Sequence, residues 1–116
     1  MNTLLILNDP PYGTEKSYNA LRLARSLLEK KVSSVRVFLM GDAAACAHGG
    51  QKVPQGYYNI ADMLGAVLRR DGEVAVCGTC MDARGITADQ LVEGAKRGSM
   101  DLLTDWTVGA DKTLVF

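Results

Sequence analysis

Two cysteines stand three positions apart in the stretch Cys77-Gly78-Thr79-Cys80. The thiolate form of cysteine is both nucleophile and metal ligand, and its pKa controls its reactivity. Cys77 ends the apolar run Val74-Ala75-Val76, and Gly78 permits a tight turn directly after it. If a helical turn begins there, Cys80 comes within reach of Cys77. A cysteine at a helix N-terminus feels the positive end of the dipole and gives up its proton more easily. Arg84 adds a second positive field. Such a site favours attack on disulfide or persulfide sulfur. Two cysteines also permit a division of labour: one carries or attacks sulfur, and the other resolves the intermediate as an internal disulfide. A single cysteine at a strand end reads as a small core hydrophobe. The partner at C-x-x-C spacing moves the reading to a reactive pair.

Two rival chemistries use the same residues. Cys46 and His48 would complete a Cys3His zinc set with Cys77 and Cys80. Against it, Cys46-x-His48 is tighter than common zinc spacings, and His48 is the one histidine of the chain. Cys46 lies among alanines on an expected short helix, which favours burial. His48, beside Gly49-Gly50, reads as a surface residue able to act as acid or base near the thiols. A thioredoxin-like oxidoreductase would place its pair after an early strand and a cis-proline opposite it. Here the pair follows the third strand, and none of Pro10, Pro11 and Pro54 precedes a late strand. A redox-sensing or binding scaffold is a third reading. No phosphate-cradling glycine motif is present, and the sequence implies no cofactor.

The elements that must position these residues alternate. Apolar runs at 3–7, 35–40 and 74–77 suit strands buried on both faces. Short strands are expected at 95–99 and 112–116. Helices are expected at 14–31 with Thr14 as N-cap, at 57–70, near 87–94, and from Met100 onward. A short helix is expected at 43–47. Thr87 and Gln90 have capping-box spacing. Alternating strands and helices predict a three-layer α/β/α sandwich on a five-stranded parallel sheet, one domain over residues 1–116. Ligands in such sheets gather at the carboxyl ends of the strands. Three irregular segments fall at such ends: 8–13, 41–56 and 77–85. Asp9, Tyr12, Gly13, Cys46, His48, Gly78, Thr79 and Gly85 are therefore expected to shape a pocket around the thiols.

The bulk composition narrows the function classes. The 116 residues are 47% hydrophobic and 22% charged, ordinary for one folded domain. The 13 basic and 13 acidic side chains cancel, which argues against nucleic acid as a partner. No window reaches the roughly 18–20 apolar residues of a membrane span. The start lacks a basic leader. Together with an odd cysteine count, this reads as a cytoplasmic protein whose close cysteine pair is reactive.

The segments Asn8-Asp9-Pro10-Pro11-Tyr12-Gly13-Thr14, Cys77-Gly78-Thr79-Cys80-Met81-Asp82-Ala83-Arg84-Gly85 and Ala110-Asp111-Lys112 through Val115-Phe116 resemble the DsrE/DsrF-like (DsrEFH/TusD-related) family along the whole chain. The resemblance implies a five-stranded parallel sandwich that assembles into trimers or hexamers. It also implies relay of sulfur as a cysteine persulfide, with Cys77 as the accepting residue and a sulfur donor or acceptor protein as partner. Cys80 has no counterpart in the relay pattern. That departure points to a stand-alone, homo-oligomeric branch, a homotrimer or homohexamer.

Overall fold

In the computed structural model, which describes residues 1–116, the three apolar runs and two shorter, more polar strands form one parallel sheet. Its strands are β1 (Asn2–Leu7), β2 (Ser34–Leu39), β3 (Glu73–Cys77), β4 (Lys96–Gly98) and β5 (Lys112–Val115), in the order β4-β3-β2-β1-β5. Helices α1 (Lys16–Glu29) and α2 (Ile60–Leu68) pack on one face. The short α3 (Gly78–Ala83) follows β3 directly, and α4 (Met100–Gly109) covers the other face. This is the α/β/α sandwich that the sequence predicts. No helix is long and apolar enough to cross a membrane.

Alternation along each strand sorts its side chains between the two faces. Leu5, Leu7, Val37, Leu39, Val74 and Val76 join the larger core with α1 and α2. Leu4, Phe38 and Ala75 point the other way, onto Trp106 of α4. Phe38 is 1% exposed and meets Trp106 edge-on, with ring centroids 6.0 Å apart. Arg36 and Lys96 lay their cations over the same indole, a favourable electrostatic arrangement. Gly98 has no side chain for a packing reason. A Cβ there would lie 3.0 Å from the Phe38 ring.

Four expected helices differ from the structure, and local side-chain bonds or bonds across the chain account for three of them. The first helix begins at Lys16 rather than Thr14. Thr14 Oγ1 accepts the Lys16 N–H at 3.1 Å while donating to Asp9 Oδ2, so it ties the helix to the preceding loop from outside. The 57–70 helix begins at Ile60, where Asn59 caps it by accepting the Asp62 N–H. Tyr58 stacks instead on Tyr18 of α1, 4.2 Å between centroids. The expected helix near 87–94 is a single 3-10 turn, Ala88–Gln90. The Gln90 side chain still accepts the Thr87 N–H, as the capping-box spacing suggests. Beyond it the backbone bonds to the 47–49 segment: Val92 N–H to the Ala47 carbonyl, and the Gln90 carbonyl from Gly49 N–H. Those groups are no longer free to continue a helix. The short helix expected at 43–47 is a longer 3-10 helix, Gly41–Ala47.

Phe38 is the largest fully buried side chain. Phe38→Ala is expected to cost about 3–5 kcal/mol of stability in chemical denaturation followed by circular dichroism. A loss under about 1 kcal/mol would show that the α4 face is not closely packed.

Candidate functional site

Strand β3 runs into α3 with no loop between them. Cys77 is both the last strand residue and the N-cap of the helix. Its Sγ accepts the Cys80 N–H at 3.3 Å and lies 3.4 Å from the Thr79 hydroxyl. Met81, fully buried, anchors α3 in the larger core. Gly85 ends the helix at φ 65°, which lets the Ile86 N–H reach the Met81 carbonyl at 3.0 Å. Gly85 thus holds the shape of the cysteine segment from its far end.

Cys80 is met from the neighbouring strand. The backbone N–H of Gly41, just beyond β2, donates to Cys80 Sγ at 3.1 Å. Register makes this contact possible. Leu39 pairs with Val76 and Leu7 with Leu39, so β1, β2 and β3 stop at one level.

The two thiols ionise differently. Burial works against the Cys77 thiolate. Hydrogen bonds from the Cys80 thiol, the Thr79 hydroxyl and the Cys80 and Thr79 amides outweigh it, and the Cys77 pKa falls below the usual 9.0. Burial raises the Cys80 pKa, and the hydrogen bond to Cys77 and its charge raise it further, against the Gly41 amide and the Arg84 charge. Cys77 is therefore the sulfur that ionises first, and Cys80 the thiol that stays protonated beside it. Hydrogen bonds do most of this, because a helix of six residues has little macrodipole of its own.

The other residues singled out in the sequence divide between several places. Arg84 donates to the Cys80 carbonyl at 3.1 Å and forms an ion pair with Asp42 at 2.7 Å, so its charge acts on Cys80. The Asp9 carboxylate holds Thr14 and Lys16, and its carbonyl accepts from Ser17 and from Cys46 Sγ. Cys46 has no exposed surface, and burial pushes its thiol up to about 11. His48 Nδ1 donates to the Gly49 carbonyl, and its backbone bridges Leu91. The Cys3His zinc set is not assembled: no three His, Cys, Asp or Glu side chains are arranged to hold a metal ion. The physical reason is that Cys46 turns into the core, toward α1. Tyr12 and Gly13 line a hollow of about 530 Å³ with Lys52, Val53, Pro54 and Tyr57, a wall that includes none of the cysteines. The Tyr12 hydroxyl donates to Gln51 and accepts the Ile60 N–H.

Three contributors escaped the sequence reading. The Gly41 amide bonds Cys80. Gln51 donates its amide to the carbonyls of Ala45, Cys46 and His48 and so ties down the long 41–56 connection. The Arg97 guanidinium lies directly against Gly78 and forks onto Asp82. A backbone amide carries no sequence signal. Arg97 stands on an expected strand, and only the β3–β4 pairing brings it to Gly78 and Asp82.

The DsrE/DsrF-like family model matches residues 1–116. Protein YchN of Escherichia coli K12 is 40% identical over 114 residues, 97% of each chain. Protein MJ0989 of Methanocaldococcus jannaschii is 32% identical over 116 residues, the full length of both. The crystal structure of the E. coli YchN protein superposes with a TM-score of 0.91 and covers both chains completely. Protein MTH1491 of Methanobacterium thermoautotrophicum shares the fold, with a TM-score of 0.76 at 12% identity over 97% of each chain. The α/β/α sandwich with a cysteine at the end of its third strand thus belongs to the DsrE/DsrF-like family.

Proposed function

We propose that this protein is a sulfur carrier or sulfurtransferase in which Cys77 accepts persulfide sulfur and Cys80 is its co-reactive thiol. The observation that carries the reading is the unequal placing of the two thiols: the Cys77 sulfur accepts the Cys80 N–H and meets the Thr79 hydroxyl, which favours its thiolate, while burial favours the protonated Cys80 thiol. The Cys77 thiolate attacks the terminal sulfur of a donor persulfide. The donor's S–S bond breaks, its inner sulfur leaves as a thiolate, and Cys77 carries the extra sulfur. That sulfur then has two exits. An acceptor thiolate takes it and returns Cys77 as thiolate. Alternatively, Cys80 loses its proton and attacks Cys77 Sγ, a Cys77–Cys80 disulfide forms, and hydrosulfide leaves. An external dithiol would then reduce the disulfide. In this reading the protein works in the cytoplasm as a homotrimer or homohexamer, and its partner is a sulfur donor or acceptor protein.

Incubation of reduced protein with a small-molecule persulfide is expected to add one sulfur to the Cys77 peptide by mass spectrometry. Cys80→Ser should retain the adduct and Cys77→Ser should lose it. Absence of the adduct from both wild type and Cys80→Ser would remove the carrier reading and favour a binding scaffold.

The pH dependence has a definite sign. A depressed thiol pKa shifts the rise of the thiolate to lower pH. Alkylation of Cys77 by iodoacetamide should therefore reach half its plateau rate below pH 9.0, and that of Cys80 above it. Cys46 should react only after denaturation, being buried with a thiol pKa of about 11. Residue-resolved mass spectrometry reads all three. Equal midpoints for Cys77 and Cys80 would contradict the division of roles.

A further inference from the structure

We propose that the tyrosine-lined hollow is a second binding site, built for a small aromatic anion that stacks on its rings and meets Lys52. The hollow measures about 530 Å³, and its wall includes Tyr12, Lys52, Val53, Pro54, Tyr57 and Tyr58. That volume falls within the roughly 300–1,000 Å³ of small-molecule sites, which are mostly apolar with a few placed polar groups. None of the three cysteines enters the wall. The inference therefore stands apart from the sulfur reading.

The walls are fixed from outside. Tyr12 belongs to the loop after β1. Its hydroxyl donates to Gln51 Oε1 at 2.6 Å and accepts the Ile60 N–H at 3.2 Å. The 52–57 stretch belongs to the connection between β2 and α2. Gln51 holds the start of that stretch, because its amide donates to the carbonyls of Ala45, Cys46 and His48. The Gln51 carbonyl accepts the Asn59 side-chain amide at 2.9 Å, so one bond joins the two ends of the loop. Tyr58 lies 5.8 Å from the Tyr12 ring and is backed by Tyr18 of α1 at 4.2 Å. Loops between strand and helix in such sheets usually take about 2–6 residues. This one runs from Met40 to Asn59, and its bonds hold a cavity open. Tyr57 stays 72% exposed at its rim.

The charge of the wall is one-sided. Lys52 is its one charged residue, and no acid stands beside it there. Lys52 forms no ion pair with any carboxylate of the chain. A cation on an aromatic cavity selects an anion, and tyrosine rings pack well against other planar rings. The ligand class is thus a planar aromatic ring system that carries an acid group. An aliphatic anion would leave the ring faces uncovered. A neutral aromatic would leave the lysine without a partner.

The probe is anilinonaphthalene sulfonate, an aromatic anion whose fluorescence rises when it leaves water. It is set against phenylnaphthylamine, which has the same rings without the acid. Both are titrated into the full chain as wild type, Lys52→Gln and Tyr57→Ser, with folding checked by circular dichroism. Both substitutions fall at exposed positions, so the fold should hold. Wild type should bind the sulfonate saturably at a single site. Lys52→Gln should weaken the sulfonate about fivefold and leave the neutral probe unchanged. Tyr57→Ser should weaken both probes about tenfold. Absence of saturable binding to wild type overturns the site. Sulfonate binding that neither variant changes overturns it too, since the probe then sits elsewhere. Equal weakening of both probes by Lys52→Gln overturns the choice of an anion.

Discussion

The hydrogen bond from the Gly41 amide to the Cys80 sulfur exists because β2 and β3 stop at the same level. In a parallel sheet, register decides which loops share an edge. Once β1, β2 and β3 are in step, the segments that follow them must meet. The first loop, the 3-10 helix and the cysteine helix then compete for one surface. Their backbone groups, released from the ladder, need partners. At this edge two of those amides, from Gly41 and Cys80, find sulfur atoms.

That arrangement makes the two cysteines unequal. Cys77 sits where strand becomes helix, so its sulfur collects donors from the turn beneath it. Cys80 lies one helical turn on and donates toward Cys77. A short helix cannot do this by its dipole. It does so by presenting an amide, a hydroxyl and a thiol to one atom. The buried Met81 and the αL glycine at 85 keep that geometry closed. The burial of Cys46 has the opposite effect, since its apolar surroundings disfavour charge. Three cysteines in one small chain thus occupy three chemical states, and environment accounts for the difference.

Much of the fold was legible because parallel strands covered on both faces must be apolar along their length. The runs at 3–7, 35–40 and 74–77 stand out for that reason, and β1, β2 and β3 each lie within about one residue of them. The helix ends were less legible. Thr14 bonds by its side chain to the loop before it, Tyr57 closes a turn onto Pro54, and the 87–94 backbone bonds to the 47–49 segment instead. The site was legible in its thiols and in Gly78. It was not legible in its cations. Arg84 lies near the cysteines in sequence yet pairs with Asp42. Arg97 lies farther along and reaches Gly78 through strand pairing.

By itself the sequence determined the parallel sandwich, the place of Cys77 at a strand end and the spacing that lets Cys80 bond to it. Each of these depends on residues close together in the chain, where hydrophobic period and turn chemistry act directly. Only the tertiary structure decided which thiol ionises, which partner each arginine takes, and that Cys46 and His48 stand apart from the pair. Those outcomes depend on burial and on register between strands, which bring together groups that local sequence leaves far apart.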